Sequence, residues 1–187
     1  LSHAGYTFGG WYDNGEFNGT AVTKIDLGST GNKLLYAKWT ANTYSVIFNA
    51  NDGTNNTFSQ NFAYDEEKAL TANSFERTGY TFLGWSATTS GEKTYNDKAS
   101  VQNLTAVQTG EVSLYAVWMP ISYTITYATA YESVENSSYT VEYTTTLPTL
   151  SHAGYTFGGW YDNAEFNGTA IAKIDVGSTG NKLFYAK

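Results

Sequence analysis

One 38-residue stretch occurs twice in this chain, and that repetition limits what the chain can fold into more than any other feature. Residues 1–38 return as residues 150–187 with five differences: Gly15/Ala164, Val22/Ile171, Thr23/Ala172, Leu27/Val176 and Leu35/Phe184. A looser copy runs between them from Thr78 to Trp118. Tandem copies of a small unit extend, space or display something, whereas a single active site has no need to be copied.

The tryptophans measure the period. Trp11, Trp85 and Trp160 are 74 and 75 residues apart. Solenoid repeats run to roughly 20–50 residues, so this unit is instead the size of a very small self-folding domain. The chain then divides into residues 1–39, the C-terminal half of a repeat; 44–118, a complete repeat; and 123–187, a nearly complete one. Hydrophobic residues at 41% and aromatics at 17% suffice for small cores, and 14% charged residues do not make a disordered tail. A net charge of −7 argues against nucleic acid or an anionic lipid surface as partner, because both call for a basic face. No segment approaches the roughly 20 apolar residues of a membrane span, so membrane insertion is not expected. Cysteine is absent, which removes disulfides and thiol chemistry.

Within the complete repeat, Tyr44, Val46 and Phe48 alternate as a half-buried strand requires. Asn51-Asp52-Gly53 signals a tight turn, and Phe58, Phe62 and Tyr64 return with one parity. The last repeat repeats this with Tyr123, Ile125 and Tyr127 going out and Tyr139, Val141 and Tyr143 coming back. A third strand carries Tyr80, Phe82 and Trp85. Trp85 has the wrong parity for their face, and a bulge at the preceding Gly84, with Gly10 and Gly159 in the other copies, would correct it. The next stretch varies in length, 28 residues from Trp11 to Trp39 against 33 from Trp85 to Trp118, which marks a loop tolerant of insertion. Its apolar pairs Val22/Ile25, Val101/Leu104 and Ile171/Ile174 sit three apart, as on one or two turns of helix or in an irregular segment. Leu114–Trp118, matching Leu34–Trp39, closes the unit as a fourth strand. The fold class expected is mainly β or α+β: tandem small domains of about four strands with a short helical crossover. Linkers Thr40–Thr43 and Met119–Ser122 span at most about 14 Å, so adjacent units must be close.

A Y-x-V-x-F strand, a GYTFxGWY segment and a closing LYAxW together resemble the Listeria–Bacteroides repeat, the B-type repeat of internalins and other bacterial surface proteins. The resemblance covers Gly5–Trp39, Tyr44–Trp118 and Tyr123–Lys187. It implies a β-grasp-like domain and a secreted or wall-attached parent, and it brings no catalytic residues.

The aromatics raise the prospect of sugar stacking. Tyr6 and Phe8 alternate at strand spacing, and with Trp11 they are expected in the core, which leaves Tyr12 and Tyr161 as the aromatics expected at the surface. With Asp13 and Asn14, and Asp162 and Asn163, they form the candidate ligand-binding set, although Ser86 replaces the tyrosine in the middle copy. The acidic loop Asp13–Gly19 fails the calcium-loop register, since positions 13, 15 and 17 are Asp, Gly and Phe. It reads as a polar turn, and neither a metal nor a cofactor is expected. His3 and His152 are isolated in a loop with no acid at a fixed place. Lys24 and Lys173 are the weighed candidates for an isopeptide bond to Asn, a reading that the middle copy breaks. No enzyme activity is expected. The reading is a non-catalytic spacer and protein-interaction or adhesion array, extracellular or wall-attached, whose partner is a protein or a surface glycan. The alternative is a carbohydrate-binding module. The 28-residue spacing places a tryptophan next after Lys187. The half-repeat at the start, lacking its hairpin, is expected to pair with another chain or with the edge of its neighbour.

Overall fold

A computed structural model describes residues 1–187, and it contains strands but no helix. The strands are β1 (Tyr6–Tyr12), β2 (Tyr36–Ala41), β3 (Thr43–Asn49), β4 (Thr57–Ala63), β5 (Lys68–Ala69), β6 (Tyr80–Ser86), β7 (Ser100–Val101), β8 (Gly110–Pro120), β9 (Tyr123–Ala128), β10 (Ser137–Tyr139), β11 (Thr145–Thr146), β12 (Trp160–Tyr161), β13 (Lys173–Ile174) and β14 (Lys182–Ala186). They fall into two compact units, Leu1–Phe75 with Leu83–Val117, and Glu76–Phe82 with Trp118–Lys187.

Each complete repeat builds a mixed four-stranded sheet. In the first the order is β4-β3-β8-β6, with β3 antiparallel to β4 and parallel to β8. In the second it is β10-β9-β14-β12, with the same parallel central pair. Alternation puts one face inward. Val46, Phe48, Phe62, Leu70, Trp85, Val101 and Leu114 are buried in the first repeat, and Phe48 meets Trp85 edge-on at 4.7 Å between ring centroids. Ile125, Tyr139, Leu147, Trp160, Ile174 and Phe184 form the equivalent cluster in the second.

The expected helical crossover is not there. Val101 and Ile174 instead sit on two-residue strands: β7 pairs with β5, bringing Lys68 opposite Val101, and β13 pairs with β11, bringing Thr145 opposite Ile174. In the middle repeat this stretch has left-handed backbone at Lys98, Asn103 and Thr109, which interrupts any run of right-handed turns. Short, threonine-rich segments are also below the length at which a helix sustains itself. The glycine bulge is present. The β1–β2 register shifts between Phe8 and Gly10, whose φ is 108°, and Phe8 and Trp11 then touch edge-on at 5.7 Å on one face.

Of Tyr6, Phe8 and Trp11, expected in the core, the first two are half-buried and Trp11 is exposed at 37%. In the complete repeats Phe48, Trp85, Leu114, Trp160 and Ile174 are buried, while Tyr80, Phe82, Leu104, Tyr127 and Phe157 are half-buried. Tyr155 and Leu183 are exposed, at 62% and 44%. For Leu183 the register explains why: Phe184 stands opposite Tyr127 just as Leu114 stands opposite Phe48, so Leu183 points the other way. Tyr155 makes only an isolated bridge to His152, outside any sheet.

The two near-identical copies do not adopt the same elements. Lys173–Ile174 and Lys182–Ala186 are strands, whereas Lys24–Ile25 and Lys33–Leu35 are not. Conversely Tyr6–Tyr12 is one long strand, whereas only Trp160–Tyr161 is extended in the later copy. Each difference follows the available partner: β11 and β9 pair with the later copy, and Lys38–Ala41 pairs with the earlier one.

Candidate functional site

The expected ligand set resolves into a small closed cluster that occurs twice. Tyr12 and Tyr161 are not at the surface, as expected of them, but buried, at 9% and 8% exposure. Their rings meet Phe17 and Phe166 edge-on, each pair at 5.7 Å. Lys38 lies 5.3 Å from the Tyr12 ring centre, and Lys187 lies 5.4 Å from that of Tyr161. What closes the cluster is the loop after the strand. The Asn14 amide nitrogen donates to Asp13 Oδ1 at 2.9 Å and to the Asn18 carbonyl at 3.0 Å, while its oxygen accepts from Asn18 N–H at 3.0 Å. Asn163 makes the same three bonds to Asp162 and Asn167. Phe17 and Phe166 take left-handed backbone, φ 57° and 54°, and so fold their rings back onto the tyrosines. The two amide groups and one oxygen of each acid are therefore occupied as a loop clip, while Asp13 and Asp162 themselves stay exposed.

The middle repeat replaces the whole cluster at once. Ser86, Gly91 and Val117 stand where Tyr12, Phe17 and Lys38 stand. Ser86 is buried, and a side chain at Gly91 would come within 2.4 Å of its hydroxyl. Ser86 and Gly91 are steric complements, which accounts for the serine that breaks the tyrosine pattern.

A second recurrent arrangement is the joint between successive repeats, which the sequence did not single out. In the first unit Asn42 N–H donates to the Gly5 carbonyl at 2.8 Å, and the Tyr6 hydroxyl donates to Asp65 at 2.7 Å. Gly5 is buried with φ 77°, and a Cβ there would lie 2.2 Å from the Tyr64 ring. In the second unit Ile121 N–H donates to the Gly79 carbonyl at 2.8 Å, and the Tyr80 hydroxyl to Glu142 at 3.4 Å. Gly79 is buried with φ 78°, and its Cβ would lie 2.2 Å from Val141 Cγ1. Bonds from Asn103 and then Tyr6 hold the Asp65 carboxyl below its usual range, and the same Asp65 bond raises the Tyr6 phenol. The signal that would have found the joint is the Gly-Tyr pair set against an acid in the following hairpin.

The histidines diverge. His3 packs on Tyr6 and Trp39, at 4.6 and 5.5 Å. His152 stacks on Tyr131 at 4.5 Å and an interplanar angle of 10°, and its Nδ1 is 2.9 Å from Glu132, so one histidine does acquire an acid partner that its isolation in sequence did not suggest. These residues, with Tyr155, line a shallow cleft in the last repeat. Lys24 and Lys173 are exposed and paired with Asp26 and Asp175, at 2.9 and 2.8 Å, not buried beside an asparagine as an isopeptide bond requires. No group of three or more His, Cys, Asp or Glu side chains is arranged to hold a metal ion.

Repeated small mixed sheets, a repeated joint and a repeated loop clip define a tandem array of β modules. The chain belongs to the Listeria–Bacteroides repeat domain family, which matches residues 1–38, 44–117 and 123–187. It is similar to a provisionally named Gly-rich membrane protein of Evansella cellulosilytica, 29% identical over 182 residues, covering 91% of this chain and 20% of that protein. A second protein of that organism, provisionally named a membrane protein, is 30% identical over 117 residues, covering 61% of this chain and 17% of its own. The chain thus spans about a fifth of the length of these curated relatives. No helix of the chain is long and apolar enough to cross a membrane.

Proposed function

We propose that this chain is a non-catalytic spacer and protein-interaction segment of a secreted or cell-surface bacterial protein. The observation that carries the reading is the joint. Two hydrogen bonds and a buried glycine recur at Gly5–Asp65 and at Gly79–Glu142 although the side chains around them differ. A joint fixed by backbone lets repeats be added by one rule, which suits holding a partner-binding region away from a surface. The relatives' names as membrane proteins favour the location. The strand order with its parallel central pair favours a β-grasp-like ancestry in which the helix is replaced by β5–β7 and β11–β13. The test is small-angle scattering on chains lengthened one repeat at a time. The maximum dimension should grow by a constant increment per repeat, and an unchanged or erratic dimension would defeat the spacer reading.

The carbohydrate reading keeps one supporting observation, the exposed rings of Tyr131 and Tyr155 beside His152 in the last repeat. A glycan array probed with the chain and with Tyr155→Ala decides it: saturable binding that the variant loses would favour this reading, and none would remove it.

A further inference from the structure

The first and last strands of the middle repeat lie side by side. β3 opens this repeat and β8 closes it, and the two run parallel through six register pairs, from Tyr44 opposite Gly110 to Asn49 opposite Tyr115. The chain enters β3 from β2 across the single residue Asn42 and leaves β8 for β9 across Ile121 and Ser122. Tension along the chain therefore draws β3 back toward Thr43 and β8 onward toward Pro120. In parallel neighbours those two pulls are opposed and lie along the strands. The evenly spaced bonds of a parallel ladder are then loaded together, in shear, and not one after another.

Side chains lengthen the ladder at both ends. At the entry end Asn42 Nδ2 donates to the Ala106 carbonyl at 2.7 Å, Thr43 N–H donates to Gln108 Oε1 at 2.9 Å, and Thr109 N–H donates to the Thr43 carbonyl at 2.7 Å. At the far end Asn49 Nδ2 donates to the Leu114 carbonyl at 3.2 Å and Asn51 Nδ2 to the Ala116 carbonyl at 2.9 Å. Val46, Phe48 and Leu114 are buried on the inner face of the same two strands, so any sliding also uncovers core. The arrangement recurs in the last repeat. There β9 runs parallel to β14 through four pairs, from Ile125 opposite Lys182 to Ala128 opposite Tyr185, and Thr124 N–H donates to Asn181 Oδ1 at 3.0 Å.

We infer that these paired end strands are a load-bearing clamp. Under tension applied along the chain, each complete repeat keeps its folded length by resisting shear between its first and last strands. The inference rests on the spacer reading for the source of the tension; the clamp itself rests on the register.

The test changes the direction of pull while leaving the fold alone. The chain has no cysteine, so engineered cysteines fix the points of attachment. Thr43→Cys with Met119→Cys loads the middle repeat in shear. Thr43→Cys with Glu111→Cys holds the two strands by the same end and peels the ladder from the Tyr44–Gly110 pair. All three positions are exposed, and the two double variants should share one urea midpoint. Forced unfolding follows the barrier to unfolding and not the equilibrium stability, so the unfolding force at one loading rate should be at least twofold higher in shear than in peeling. Residues 43–119 release about 250–270 Å of extended chain, which identifies the event. The unmodified chain held by terminal tags should match the shearing pair, a check that needs no substitution. Equal forces in the two directions, or a lower force in shear, would overturn the clamp. Regular lengthening in the scattering series together with equal forces would keep the spacer and remove the clamp, so the two readings fail separately.

Discussion

Replacing Gly79 with alanine should break the second joint, and the chain carries its own control. Gly79 and Gly154 are equivalent positions with nearly the same backbone, φ 78° and 83°. Alanine at either one meets the same left-handed penalty, about 1–2 kcal/mol, and the same loss of unfolded-state freedom. They differ in surroundings. A Cβ at 79 would lie 2.2 Å from Val141 Cγ1, far inside the 3.4–4 Å of ordinary contact, whereas at 154 nothing lies within 4 Å. Relieving that overlap is an overpacking problem costing about 1–3 kcal/mol. Gly154→Ala should therefore destabilise by about 1–2 kcal/mol and Gly79→Ala by about 2–5 kcal/mol in total. Urea denaturation followed by tryptophan emission gives the totals. Hydrogen exchange at the Ile121 amide, which donates to the Gly79 carbonyl, localises the damage. Adding Val141→Ala should recover part of the loss, a coupling that only contacting residues show. Equal destabilisation by the two glycine variants, with Ile121 equally protected in both, would refute the steric account of the joint.

Trp160→Ala should cost about 3–5 kcal/mol because the indole is enclosed, while Trp11→Ala should cost clearly less; thermal melts compare them. Asp65 has a lowered folded pKa, so its contribution is complete above its ordinary value of 3.8 and is lost as pH falls through the lowered one. The urea midpoint should accordingly drop below about pH 3.8 more steeply in the native chain than in Asn103→Ala, which removes the larger of the two bonds to that carboxylate. Ser86→Tyr and Gly91→Phe should each destabilise the middle repeat by about 1–3 kcal/mol. Combined with Val117→Lys they should recover most of that loss, and purely additive losses in the triple variant would count against the co-substitution.

Much of the fold was legible because strand periodicity is a local signal. Tyr44, Val46 and Phe48 alternate whatever surrounds them, and Gly10 before Trp11 announces its bulge by parity alone. What was not legible depends on partners distant in the chain. Ile25 and Ile174 sit in the same local sequence, Lys-Ile-Asp, yet only Ile174 joins a strand, because Thr145 stands opposite it. The three-residue spacing of Val101 and Leu104 imitates a helix for the same reason: the β5–β7 contact that fixes Val101 is invisible locally. The burial of the two candidate tyrosines was hidden for another reason. The left-handed turn at Phe17 folds a second ring against Tyr12, and no propensity favours a phenylalanine there.

The two complete repeats share a strand order although their side-chain chemistry differs. The first and last copies share the tyrosine, phenylalanine and lysine cluster, and the middle copy carries serine, glycine and valine in its place. The joints vary in the same way: His3 and Arg77 flank the two tyrosines, and Tyr64–Asp65 and Val141–Glu142 receive them. The carbonyl of a left-handed glycine accepting the amide of the following linker does not change, at 2.8 Å in both. Backbone therefore carries the connection, and side chains around it are free to differ so long as they differ together. A ligand site copied for avidity would have the opposite property, holding its side chains constant from unit to unit. Here the constant features are the buried Trp85 and Trp160, the bulge glycines and the joint glycines, all of which set shape. Within the proposed spacer role, that division gives the constant residues of the repeat the task of setting its shape and leaves the side chains around them free to vary.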